Sequence, residues 1–126
     1  MTSADVAEAV RAAIAAYTHA LDDGRTDDIV AMFCADGSSD MPGYTVAHGH
    51  DALRDLYENF KPSGAQRHFV ANTLVTDSNE HEATAISDVV LLVCTDGRWS
   101  VMFVGRYHDT LHYVDGTWRF HRRVLT

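Results

Sequence analysis

The stretch QRHFVANTLV, residues 66–75, sets a histidine into a run that otherwise favours a buried strand. Val70, Thr73 and Val75 prefer extended backbone, Phe69 and Leu74 add apolar bulk, and no Gly or Pro interrupts. Neighbouring side chains of a strand point to opposite faces, so either Arg67 or His68 looks inward. If it is His68, then Val70, Asn72 and Leu74 share its face. An imidazole so placed can take up and return a proton near neutral pH, and the Asn72 amide can bind a carbonyl or hydroxyl. The competing reading is a pair of polar groups satisfied inside a core.

Three other groups of residues raise chemical questions. Asp22, in LDDGR, falls near a helix C-terminus, where a carboxylate opposes the helix dipole and wants a partner. Tyr17 lies on an apolar stripe, as a core aromatic or as a hydroxyl facing a cavity. Five residues apart, these two are about 140° around a helix, so one pocket serves both only if it wraps the helix end. Tyr107 and Asp109 share one strand face and Arg106 and His108 the other, an assignment that a bulge would reverse. His48, His50, His108 and His112 suggest a metal, but HGH sits in a predicted loop and the other two lack a companion carboxylate at a recognisable spacing. No metal and no cofactor are expected.

The elements that must position these residues follow from periodicity. Val6, Val10, Ala13, Ile14, Tyr17 and Leu21 form one stripe of a helix over residues 4–22, which Gly24 stops. TDDIVAMF predicts a second short helix with Thr26 as N-cap and Ile29, Met32 and Phe33 inward, ending near CADG. SSDMPGYTVAHG reads as irregular or weakly extended. HDALRDLYENF restarts a helix with Leu53, Leu56, Tyr57 and Phe60 inward. From Gln66 the period becomes two, in four long runs parted by DSNE, TDGR and VDGT, short turns that imply antiparallel hairpins. Three helices before a four-stranded meander predict an α+β fold, in which helices cover a curved antiparallel sheet and enclose a pocket.

With 126 residues and 46% apolar composition, the chain suits one domain over residues 1–126. A net charge of −8, with a cationic cluster only at Arg119, Arg122 and Arg123, argues against a nucleic-acid partner. No run approaches the ~20 apolar residues of a membrane span, and MTSADVAEAV lacks the pattern of a secretion signal. A soluble cytoplasmic protein is expected. Cys34 and Cys94 form no CxxC pattern and read as reduced thiols in the core. Val101, Phe103, Tyr113, Trp118 and Phe120 exceed what one sheet face can bury beneath three helices, which predicts a homodimer through the sheet.

Element order and four stretches, AAYTHALDDGRTDDIVAMF, GHDALRDLY, QRHFVANTLV and GRYHDTLHYVDGTWRFHRRV, resemble the nuclear transport factor 2-like cone fold. Within it they resemble the SnoaL-like group, which includes scytalone dehydratase and the bile-acid dehydratases. The resemblance implies an aspartate near the end of the first helix and a histidine at the start of a central strand as an acid-base pair; these fall on Asp22 and His68. It also implies a tyrosine five residues before the aspartate, here Tyr17. Scytalone dehydratase has a second histidine where this chain has apolar residues around Met102 or Val104, and a second tyrosine where it has Met41 with Tyr44 nearby, which argues against scytalone as the substrate. The expected activity is cofactor-free dehydration of a hydrophobic, polycyclic or aromatic hydroxy-carbonyl compound. The alternatives are an isomerase or cyclase using the same pocket, and a non-catalytic binder or assembly subunit. Tyr17, Phe33, Leu56, His68, Asn72 and Met102 are expected in the pocket wall, and Tyr107 against the substrate.

Overall fold

Thr2 opens the first helix with a capping box: its hydroxyl accepts the Asp5 N–H, and the Asp5 carboxylate accepts the Thr2 N–H. In this computed structural model, which describes residues 1–126, α1 runs Ser3–Asp22 and buries Val6, Val10, Ile14, Tyr17, Ala20 and Leu21. The expected stripe is thus the core face, and each of its fully buried aliphatic side chains contributes about 1.5–3 kcal/mol.

α2 is shorter than expected, Thr26–Ala31, and Phe33 already belongs to β1, Phe33–Asp40. The sheet overrides the helical pattern here, because Phe33 pairs with Phe120 and Met32 O accepts the Phe120 N–H at 2.9 Å. Thr26 is the first helical residue, not the N-cap; Arg25 holds that position without a side-chain bond. The region expected to be irregular or weakly extended contributes strand residues to β1 and a second short strand, β2, Ala47–His48, paired antiparallel to it. α3, His50–Asn59, buries Leu53, Leu56 and Tyr57.

β3 (Gln66–Ser78), β4 (Glu82–Thr95), β5 (Arg98–Val114) and β6 (Thr117–Leu125) form the expected antiparallel meander. Two of its turns are Asp-Gly pairs with both residues at positive φ, 52° and 75° at Asp96-Gly97 and 50° and 78° at Asp115-Gly116. That backbone matches the twist of the flanking strands. The sheet has six strands, not four, in the order β2-β1-β6-β5-β4-β3, with β1 parallel to β6. It is curved and unclosed, and the three helices lie with it in an α+β arrangement. The apolar core fills the space between α1 and the β4–β6 end, where Ala83, Ala85, Leu111, Trp118 and Phe120 meet the helices. No helix is long and apolar enough to cross a membrane.

Candidate active site

Of the two neighbours at the start of β3, His68 faces inward and Arg67 outward, where its guanidinium lies 6.0 Å from the Trp99 ring centroid. His68 meets Asp22: ring Nδ1 and Oδ1 are 2.6 Å apart, and the His68 backbone N–H donates to Oδ2 at 2.8 Å. Both side chains are only 7% exposed. Gln66, two positions back and therefore on the same face, donates its amide to Asp22 Oδ1 at 3.1 Å. The carboxylate that opposed the helix dipole thus accepts three hydrogen bonds from two residues of β3. Because a carboxylate only accepts, Nδ1 carries the ring proton and Nε2 carries the lone pair.

His68 and Gln66 form part of the wall of a cavity of about 620 Å³. Around them stand Leu21 of α1, Leu91 and Val93 of β4, Met102, Phe103 and Tyr107 of β5, and Leu125 of β6. Tyr44 and Phe60, with ring centroids 4.9 Å apart, contribute from the loops after β1 and α3. The cavity is lined mainly by apolar side chains, a setting that suits a small hydrophobic molecule and strengthens any polar contact inside it.

Of the expected wall residues, His68, Met102 and Tyr107 line this cavity, and Tyr17, Phe33, Leu56 and Asn72 do not. Tyr17 and Phe33 are fully buried in the core cluster, and Leu56 packs there too. The Tyr17 hydroxyl bonds that of Tyr57 at 2.7 Å, which in turn lies 3.2 Å from Ser39 Oγ. The turn between Tyr17 and Asp22 sends the tyrosine into the core and the aspartate to β3. Asn72 is displaced by a bulge: the β3–β4 register slips between Ala71 and Leu74, and Asn72 takes φ 57°. Its amide donates to Asp88 on the exposed surface at 2.9 Å, and Leu74 turns outward while Thr73 and Val75 turn in.

Sequence reasoning missed two features. Gln66 could have been found from strand parity with His68. The other is a buried ion pair beneath the cavity. Arg123, expected in a surface cationic cluster, is enclosed with Asp109, at 3.0 Å between Nε and Oδ1 and 3.3 Å between Nη2 and Oδ2. Its guanidinium lies 3.5 Å from the Tyr107 ring centroid, 4.2 Å from Tyr17 and 4.7 Å from Phe120, a cation–π cage. This settles the β5 faces: Tyr107 and Asp109 point in, while Arg106 bonds Asp88 outside. Burial pushes the Tyr107 phenol up to about 12, so it is a neutral hydrogen-bond donor at the cavity wall.

A profile of the SnoaL-like domain matches residues 2–124. The chain belongs to the SnoaL-like family. Solved structures agree on the fold of this SnoaL-like protein. Rv3472 of Mycobacterium tuberculosis, a protein of unknown function, superposes with a TM-score of 0.85 at 26% identity, over 93% of this chain and 68% of that one. A Novosphingobium aromaticivorans protein provisionally named scytalone dehydratase gives 0.84 at 26% identity, over 99% and 87%. The β subunit of a provisionally named aromatic-ring-hydroxylating dioxygenase from the same organism gives 0.84 at 22% identity over 98% and 90%, a likeness of fold alone. No curated protein matches the sequence.

Proposed function

We propose that this chain is a lyase that dehydrates a hydrophobic, aromatic or polycyclic hydroxy-carbonyl compound without a cofactor, with His68 as proton shuttle and Asp22 as its anchor. The observation that carries the reading is the 2.6 Å contact between Asp22 and His68, both buried, with His68 in the wall of an apolar cavity of about 620 Å³. That volume lies in the range of small-molecule sites. The likeness to a provisionally named scytalone dehydratase points the same way.

The reaction needs a base for the proton on the carbon next to the carbonyl and an acid for the hydroxyl one carbon further. His68 Nε2 removes the proton, and the C–H electron pair forms an enolate. The imidazolium then returns that proton to the departing hydroxyl, so water and an unsaturated carbonyl result. Asp22 holds the tautomer that leaves Nε2 free and stabilises the imidazolium between the two steps. Tyr107, neutral at the wall, donates a hydrogen bond to the carbonyl oxygen as charge develops. Tyr17 has no direct part in this scheme, since its hydroxyl is engaged with Tyr57.

Incubation of the protein with a panel of aromatic and polycyclic hydroxy-ketones, read by mass spectrometry, tests the assignment. Loss of water that His68→Ala abolishes supports it. A product of unchanged mass with a moved double bond identifies an isomerase instead, and ligand binding with no turnover identifies a binder.

The outer sheet face supports a homodimer. Phe69, Trp99 and Val101 are each at least half exposed, and the register Arg67–Leu92–Val101 sets them on neighbouring strands of the face away from His68. Trp118 and Phe120, expected to add to this surface, are buried in the core instead. Cys34 and Cys94 are free thiols, which suits a reducing compartment, and the cytoplasm is the proposed location.

A further inference from the structure

Phe33, Leu111 and Phe120 point into the core, and the residue after each points to the opposite face of the sheet. Those residues are Cys34 on β1, His112 on β5 and His121 on β6, neighbours across three adjacent strands. One ligating atom from each lies within 4.8 Å of the others. None of the three lines the pocket that holds His68.

We propose that Cys34, His112 and His121 bind a divalent ion of the zinc class, at a site separate from the pocket. A thiolate with two imidazoles is a donor set that zinc favours and that magnesium and calcium do not. Bonds of 2.0–2.3 Å in a tetrahedron set neighbouring ligand atoms about 3.3–3.8 Å apart, so atoms that all lie within 4.8 Å of one another need close by no more than about 1.5 Å. The two imidazoles are stacked, with centroids 4.1 Å apart and planes within 11°. Two rings each bound in its own plane to one ion cannot remain stacked, so one turns on binding; side chains 31% and 35% exposed have room to do so.

Two independent contacts point to a ligand. His121 Nδ1 is buried without a hydrogen-bond partner, and the nearest carboxylate oxygen, on Asp36, stands 3.7 Å away. An ion drawn in beside it would satisfy that nitrogen and give Asp36 the fourth coordination position. His112 Nε2 lies 2.9 Å from a Glu82 carboxylate oxygen, which fixes the proton on Nε2 and leaves the lone pair on Nδ1. A carboxylate behind a histidine ligand is the usual outer support of a zinc site. Binding releases the Cys34 thiol proton to solvent and needs no oxidant or reductant.

Titration of the full chain with cobalt(II) under a phosphine reductant tests the site. One equivalent should bind with the visible bands of a tetrahedral ion and a near-ultraviolet thiolate-to-cobalt band, and zinc should displace it. Cys34→Ser should remove the thiolate band, whereas Cys94→Ser should keep it. His112→Gln and His121→Gln should each weaken binding at least ~10-fold, in the range seen for lost metal-site contacts. The proposal is overturned by a saturated protein without the thiolate band, by a band that survives Cys34→Ser, or by unchanged affinity in both histidine variants. The half-exposed histidine positions decide the matter if Cys34→Ser does not fold.

Discussion

Asp22 grips His68 at two points, taking ring Nδ1 on Oδ1 at 2.6 Å and the backbone N–H on Oδ2 at 2.8 Å. The ring is therefore fixed relative to its own strand, and the carboxylate is held by α1. Replacing His68 by Ala should lower kcat on the dehydrated substrate at least ~10²-fold, the usual worth of a positioned acid-base group. Asp22→Asn should cost nearly as much, because an amide can present N–H to the ring and hold the wrong tautomer. The double variant should be little slower than either single one if the two act as a unit. Steady-state kinetics on the folded variants, checked by circular dichroism, decides this, and strictly multiplicative losses would count against the pair.

Asn72 should have no part in turnover. It sits at φ 57° on an exposed bulge and bonds Asp88, outside the cavity wall. Asn72→Ala should leave kcat and KM unchanged while costing about 1 kcal/mol, because alanine loses the Asp88 hydrogen bond and tolerates left-handed backbone less well than asparagine. Asn72→Gly should recover the backbone part of that. Urea titrations beside kinetics separate the two effects.

How much of this was legible follows from where the signals are local. The helical stripe of α1 and the Asp-Gly turns are each written in a short window and stand where it put them, whereas strand alternation required only that one of Arg67 and His68 face inward, and the contact with Asp22 on α1 makes it His68. The Phe33 region misled because its pattern fits a helix, while the partner that makes it a strand, Phe120, lies far along the chain. The bulge at Asn72 moved Thr73, Leu74 and Val75 to the opposite faces, until a second irregularity before Asp77 restored the alternation, and no Gly or Pro announced either. Arg123 looked like surface charge because its partner Asp109 lies on another strand. Likewise His112 had no recognisable ligand spacing, and only the sheet brings Cys34 and His121 beside it.

Alkaline pH should unfold the protein through its buried phenols. Burial raises Tyr17, Tyr57 and Tyr107, the last to about 12 from an ordinary value of 10.0. A raised folded value means that this stability is fully present below pH 10 and is lost as pH climbs toward 12, because the unfolded chain releases the proton first. Two pH units at Tyr107 alone correspond to ~2–3 kcal/mol. Tyrosinate absorbance from these three should rise together with loss of the far-ultraviolet dichroism; ionisation of all five tyrosines in a folded chain would contradict the burial argument.

The outer sheet face should hold two chains together. Val101 lies two residues along β5 from Trp99 on that face and pairs with Leu92 of β4, so Val101→Lys puts a charge in the middle of the proposed interface. Light scattering at micromolar concentration should report twice the chain mass for the parent protein and a single chain for the variant. A parent protein that is monomeric under these conditions removes the dimer.

Arg123 and Asp109 should prove costly to separate and far cheaper to replace together. Their side chains are 1% and 0% exposed, so neither charge can be solvated if the other is removed. Arg123→Met should therefore destabilise by about 3–5 kcal/mol, with the further loss of the contacts its guanidinium makes over Tyr107, Tyr17 and Phe120. Burial already raises Asp109, and without the arginine nothing opposes that rise. Protonation then removes the stranded charge, so the penalty of Arg123→Met should shrink as pH falls and grow as pH rises through the raised value. Arg123→Met combined with Asp109→Leu leaves no buried charge at all and should recover much of the loss. Urea unfolding of the two single variants and the double variant at several pH values measures the coupling; a double variant as unstable as the sum of the single ones would show that the pair's charges do not interact.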